Sequence, residues 1–319
     1  MGRYILKRVL QAIPLLLVIS FIVFSLIHLA PYDAVDALTT PDMSPERVQM
    51  MRERFGLDRP FLVQYVYWLR GILQGDFGYS LISQQSIGAE LAVRIPNTMK
   101  LVFPAYLTAL VLSVVLGLVA GANKGKFLDR MIDGLCSVGI ATPTFWFAML
   151  LIYILGYKWH LFPIIGMHTV GQEGSFPDFI QHFIMPYLVL VVAFFPELTR
   201  YIRSATVEQL SEDYVMVQKS FGSSKRAVFA NHISRNVLVP IVTQVGLALP
   251  MLVTGAIITE SIFSWPGVGP YLMTATKSMD YPIIMAIMLL SAVLVILGNL
   301  LSDILYTIVD PRIRKEGWQ

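Results

Sequence analysis

Two glutamates stand inside apolar stretches of this 319-residue chain: Glu197 directly after Pro196, and Glu260 in the string TESIFSWPG. A carboxylate at the centre of a bilayer costs roughly 2.5–3.5 kcal/mol on insertion scales, so each needs water or a partner. A proton relay would want several acids strung along one pathway, and two well-separated glutamates support that weakly. Lining of an aqueous path, or structural pairing, is the favoured reading for both. Asp303, near the inner end of the last apolar stretch, reads as an acid that snorkels or pairs with a neighbouring base.

Other chemistry finds no foothold. The nearest string to a phosphate-binding loop, GANKGKF, has the wrong glycine spacing and lacks Ser or Thr after the lysine. There is no H-E-x-x-H, no Cys/His cluster and no nucleophile elbow. The five histidines (His28, His160, His168, His182, His232) are scattered and read as interfacial or loop residues. Cys136, the one cysteine, lies in an apolar run and excludes an intrachain disulfide. The chain is therefore expected to be no enzyme, with no cofactor or metal of its own.

A third feature is a polar segment between apolar runs, from Arg200 to Arg235, with Lys219, Lys225, Arg226 and Arg203 also basic. Ser211 reads as the cap of a helix whose first turn holds Glu212 and Asp213, acids that suit the positive dipole end. Val217 and Phe221 extend an apolar face, and Gly222 is placed to end the helix in a left-handed turn. Ser223 or Ser224 then caps a second helix over Lys225–Arg235. Two short helices meeting at a glycine make a knob for a groove on another protein. A solvated loop lying on anionic headgroups is the alternative.

The elements that must position these residues are membrane helices. With 55% hydrophobic and only 14% charged residues, and a mean hydropathy of +0.64, the chain falls well short of the ~25% charge of soluble domains. Its net charge of +3 is too small to suggest nucleic acid. Six runs reach the ~20 residues a span needs: Val9–Leu29, Leu101–Ala122, Met131–Gly156, Phe183–Ile202, Val237–Ile262 and Ile283–Val309. Strand-like alternation is absent, so the expectation is all-α, with kinks at Pro143, Pro196 and Pro250. The first run is too long for a signal peptide and reads as a retained helix.

Lys and Arg fix the orientation. The amino end (Arg3, Lys7, Arg8), the turn at Lys124, Lys126 and Arg130, the segment around residue 222 and the tail (Arg312, Arg314, Lys315) hold fifteen between them. The short loops opposite carry Lys158 and Lys277. Both termini are thus expected in the cytoplasm. The division is a tail and first span (1–30), an extracytoplasmic helical loop (31–97), a core (98–309) containing the cytoplasmic loop 203–236, and a tail (310–319). In the long loop, Ser44-Pro45 reads as a helix start and Gly56 as its end. Phe61, Tyr65, Trp68, Leu69 and Ile72 form a helical stripe, read as the core of a small external lid.

The strings FGLDRPFLVQYVYWLRGILQGDFGYSL, RIPNTMKL, PTFWFAMLLIY, TESIFSWPGVGPYLM, MDYPIIMA and DILYTIVDPRIR, in this order, are specific. On them the chain resembles the membrane subunit of ATP-binding-cassette importers, in the oligopeptide, dipeptide and nickel permease group. The resemblance implies the type I importer permease fold and a prokaryotic inner membrane. It implies a second permease subunit as partner, two ATPase subunits holding ATP and Mg²⁺, an external solute-binding protein and a peptide substrate. It also implies that the loop around Gly222 is the coupling helix, with Glu212, Asp213, Val217, Phe221, Gly222 and Ser223 facing the ATPase. The family's Glu-Ala-Ala positions before the glycine are Met216, Val217 and Gln218 here, and Ser234-Arg235 stands where many relatives have Leu-Pro. Glu260 matches an acid common in the branch, Glu197 matches nothing, and both are candidate groups of the translocation path. The rival readings are a nickel or metal-chelate permease of the same group, an ion-gradient-driven secondary transporter and an intramembrane enzyme.

Overall fold

The computed structural model describes residues 2–29, 35, 39, 42–248 and 256–309. The 310–319 tail, Pro250 and the side chains of Arg3, Lys7, Arg8, Lys219, Lys225 and Asp303 lie outside the described residues. The regular structure of the described residues is helical, apart from one isolated bridge between Tyr79 and Ser86.

Helix α1 runs Gly2–His28, α2 Pro45–Phe55 and α3 Phe61–Leu73. The small turn chemistry read from the sequence is present. Ser44 Oγ accepts from the Arg47 amide, Pro45 opens α2, and Gly56 closes it at φ 68°. The aromatic stripe of α3 has a different partner from the one expected. Instead of forming the core of a lid, Phe61, Tyr65 and Trp68 pack on Phe24 of α1. The Tyr65 hydroxyl and Ser20 Oγ lie 2.8 Å apart. An amphipathic helix beside an apolar one thereby half-buries its stripe.

Helix α4 spans Ile87–Ala122. It begins at Ser86, whose side chain accepts from the Ala89 amide, so residues 87–97 form its first turns. Its partner is α7, Phe176–Ser211, which continues through Pro186 and Pro196. The two run parallel in one register. A Cβ on Gly117 would sit 2.7 Å from Ile202 Cβ, and one on Gly121 2.5 Å from Thr206 Cβ. Small residues four apart let two backbones approach this closely in a membrane. Ser113 Oγ donates to the Phe195 carbonyl at 2.9 Å, and Tyr187 to Thr108 Oγ1 at 2.9 Å.

The run expected as one span over Met131–Gly156 is broken. Helix α5 (Phe127–Ala141) and α6 (Thr144–Leu151, extended by a π turn over Ile152–Lys158) meet at 92°. Pro143 occupies the junction, where it lacks the amide that would continue α5.

Beyond α7 come α8 (Asp213–Ser220) and α9 (Lys225–Val228), which runs through a π turn (Phe229–Ile233) into α10 (Ser234–Ala248). Helices α11 (Ile257–Ile262), α12 (Val268–Lys277) and α13 (Tyr281–Val309) complete the chain. Among the described residues α4, α7 and α13 are each long and apolar enough to cross a membrane, and α5–α6 add a fourth crossing if the bent pair is one span. The apolar part of α1, Leu10–Leu26, is shorter, and the expected run Val237–Ile262 passes through residues outside the description.

Candidate functional site

The segment after α7 is built as an elbow. Helix α7 extends to Ser211, whose hydroxyl donates to the Glu208 carbonyl at 2.7 Å. Ser211 therefore does not cap α8, and the chain breaks at Glu212 instead, whose carbonyl accepts from Val215. Gly222 adopts φ 80°, as its placement predicted, and the Ser223 amide donates back to the Gln218 carbonyl at 3.1 Å. Of the two serines offered as caps for the second helix, Ser224 acts, accepting from the Ala227 amide at 3.2 Å.

One side of this elbow is fastened to the core. Val215, Val228 and Ile233 are buried with Ile202 and Val237 in one apolar cluster. Tyr214 donates to Gln209 Oε1 at 3.0 Å, and Asn236 donates to the same oxygen at 3.1 Å. Partial burial raises the Tyr214 phenol above its ordinary range. The other side is bare. Met216 is 70% exposed, Val217 50% and Phe221 83%. Three large apolar side chains clustered at a two-helix turn are a surface that wants a cover.

The root of the elbow is held by charge. Arg203 grips Asp129 with two guanidinium nitrogens, Nη2 at 2.8 Å from Oδ2, and the Gly125 amide donates to the same carboxylate at 2.7 Å. Arg200 donates to Asp133 at 3.2 Å and to Ser137 at 2.6 Å. Two of the six bases assigned to the loop thus belong to a clasp between α7 and α5.

The two membrane glutamates are in different settings. Glu260 is wholly buried, with Oε2 accepting from the Gly269 amide at 2.8 Å. Around it the SWPGVG turn is tied to α4. Trp265 Nε1 donates to the Asn97 carbonyl at 2.8 Å and the Val268 amide to Thr98 Oγ1 at 2.9 Å. A Cβ on Gly267 would collide with Glu260 and Thr98, and one on Gly269 would lie 2.7 Å from Ile257 Cα. Glu197, by contrast, is exposed, and borders a cavity of about 380 Å³ between α4, α7 and α10, with Tyr106, Phe194, Tyr201 and Gln244 among its walls. The Tyr106 hydroxyl donates across it to the Gln244 carbonyl at 3.0 Å.

The description "binding-protein-dependent transport system inner membrane component" matches residues 113–315, and that family's N-terminal component matches residues 1–102. The chain belongs to this family. As a binding-protein-dependent transport permease it has relatives along its whole length. An oligopeptide transport system permease protein, AppB of Bacillus subtilis, is 38% identical over 314 residues, covering 98% of this chain and 99% of the relative. The dipeptide transport system permease protein DppB of Escherichia coli K12 is 34% identical over 336 residues, with the same coverage. A chain from inward-facing structures of the MetNI methionine ABC transporter overlays with a TM-score of 0.53 at 14% identity, covering 69% of this permease and 96% of that chain. That likeness concerns the fold alone.

Three features of this permease escaped sequence reasoning. Gly117-Leu-Val-Ala-Gly121 is a small-xxx-small pattern in plain view and was a usable signal for the α4–α7 contact. The Asp129–Arg203 clasp joins residues 74 apart, and no local pattern announces it. Two of the histidines read as scattered are gathered by Asp178. His168 Nδ1 lies 3.3 Å and His182 Nε2 3.6 Å from its oxygens, and Thr169 Oγ1 donates to it at 2.6 Å.

Proposed function

We propose that this permease is one of two membrane subunits of an ATP-driven, binding-protein-dependent importer of peptides. Six spans with both termini in the cytoplasm, the division into 1–30, 31–97, 98–309 and 310–319, and a prokaryotic inner membrane belong to the same reading. A second, similar permease chain encloses the path with this one. Two ATPase subunits, which hold ATP and Mg²⁺, bind the cytoplasmic face. A solute-binding protein delivers peptide from outside. Relatives named for oligopeptide and dipeptide transport, matched end to end, support the cargo.

The observation that carries the reading is the elbow at Gly222, with an apolar tip of Met216, Val217 and Phe221 on a base buried in the core. A tip free of the core and a base rigidly joined to it is the arrangement a driven subunit needs. In this reading Val217, Phe221, Gly222 and Ser223 face the ATPase, with Glu212 and Asp213 at the entry to the elbow. ATP binding closes the ATPase pair, pushes the elbow and rocks the helices from inward-facing to outward-facing. Hydrolysis resets them. Glu197 lines the path, while Glu260 holds the external turn.

Purification of the tagged chain from its native membrane, followed by reconstitution of what accompanies it, tests this. An ATP-binding subunit and a solute-binding protein are expected, with peptide uptake that requires ATP. Uptake by the isolated chain down an ion gradient, without nucleotide, would sink the proposal, and a binder that takes Ni²⁺ but no peptide would reassign the cargo.

A further inference from the structure

Glu197 has an address but no partner. It sits well inside α7, in an apolar stretch, and an ionised acid within a bilayer is costly unless something neutralises it. The bases nearest in sequence, Arg200 and Arg203, are engaged by Asp133 and Asp129. Among the described residues no cation and no hydrogen-bond donor reaches the Glu197 carboxylate. The chain therefore holds an unengaged carboxyl group beside a cavity.

The cavity has the composition of a site for a small organic cation. Its volume, about 380 Å³, lies within the range of ligand pockets. Its lining includes Tyr106, Phe194 and Tyr201, and aromatic ring faces attract an ammonium group through their quadrupoles. Gln244 adds an amide, a group that pairs with peptide bonds.

We propose that Glu197 is the counter-ion for the α-ammonium group of the transported peptide, which pauses in this cavity during passage. The inference rests on the peptide-importer reading and goes further by naming the substrate group recognised and the residue that recognises it. Every unmodified linear peptide carries this ammonium whatever its side chains. One fixed carboxylate among aromatic and apolar walls therefore serves a broad range of peptides while disfavouring those with a blocked amino end.

The test uses the complete transporter in proteoliposomes, with its partner permease, ATPases and binding protein. Glu197→Gln is expected to lower uptake of trialanine about ten- to a hundredfold, the worth of a charge-assisted hydrogen bond, and Glu197→Asp to retain most of it. Recovery of the other subunits with the variant should be unchanged. A second measurement bypasses the binding protein. In a Cys136→Ser background, Ala193→Cys is labelled with a maleimide in the presence of millimolar trialanine or its N-acetyl derivative. Protection by the free peptide alone, abolished by Glu197→Gln, supports the assignment. Equal protection by both peptides, or wild-type uptake in Glu197→Gln, overturns it. Loss of the partner permease from Glu197→Gln would overturn it too, by showing that a neighbouring subunit's base fills the cavity. Failure of the unaltered transporter to import any peptide would instead sink the reading beneath it.

Discussion

The Gly269 amide donates to Glu260 Oε2 at 2.8 Å, so an acid buried to zero exposure acts as the acceptor that shapes a turn. The turn in question, Trp265 to Gly269, is also pinned to Asn97 and Thr98 of α4. Glu260→Gln keeps an oxygen for Gly269 and should be tolerated. Glu260→Ala leaves buried donors without an acceptor, at about 1–3 kcal/mol, and Gly269→Ala drives a methyl into the backbone of Ile257. Thermal unfolding of the detergent-solubilised chain should rank the variants in that order. Equal stability of Glu260→Ala and Glu260→Gln would refute the role.

Gly222 at φ 80° adopts a conformation that costs an L-residue roughly 1–2 kcal/mol. Among the described residues, chain neighbours aside, no atom lies within 4 Å of a Cβ there, so the penalty is conformational and not steric. Gly222→Val should leave membrane insertion intact and uncouple ATP hydrolysis from uptake. Asn, which tolerates the left-handed region, should restore much of the coupling. Normal uptake by the valine variant would count against the geometry.

Phe221, 83% exposed, contributes little to the fold of the chain itself. Phe221→Asp should thus leave the melting temperature within about 1 °C, a surface effect of under ~0.5 kcal/mol. Recovery of the ATPase subunit should fall at least about tenfold, as for an interface anchor. Undiminished recovery would show that the apolar tip is covered by something else.

Arg203 and Asp129 tie the first turns of α5 to the root of the elbow. Removing one partner strands a charge, since Asp129 is only 3% exposed. Asp129→Asn or Arg203→Met should therefore destabilise by about 3 kcal/mol, the lower end for a broken buried pair because Arg203 is partly solvated. Their effects should be strongly non-additive in the double variant, measured by denaturant unfolding. Simple addition would show that the two residues act separately.

Tyr271 predicts an alkaline limit. Burial is the largest cause lifting its phenol to about 12, and among the described residues the hydroxyl has no hydrogen-bond partner while Arg94 lies 4.6 Å over the ring. The folded pKa exceeds the unfolded value of about 10, so stability is whole below pH ~10 and declines as pH rises toward 12. Tyr271→Phe should remove that component and cost nothing at neutral pH. An unaltered alkaline profile in the phenylalanine variant would show that this phenol is not its source.

What could be read in advance was local chemistry. Ser44, Pro45, Gly56 and Gly222 act within a few residues of themselves, and their types nearly determine their conformations. The exposed tip at Phe221 was legible for the same reason. Hydropathy alone marks neither where a helix starts nor where it breaks. Ile87–Asn97, which includes Glu90 and Arg94, reads as the end of the helical loop 31–97 and forms the first three turns of α4. Pro143 was read as a kink, whereas its missing amide permits a right-angled break. The clasp and the ties of the SWPGVG turn to α4 depend on residues 74, 168 and 170 positions apart meeting in space, which only the packed helices decide.

The locked register of Gly117 with Ile202 and Gly121 with Thr206 leaves α4 and α7 no freedom to slide past each other. Each has 36 residues, a rod of roughly 54 Å at 1.5 Å per residue. The elbow hangs from one end of this double rod and the SWPGVG turn is bolted to the other. Any tilt imposed at the elbow must therefore appear, amplified by the length of the beam, as a sideways swing of the SWPGVG turn at the far end.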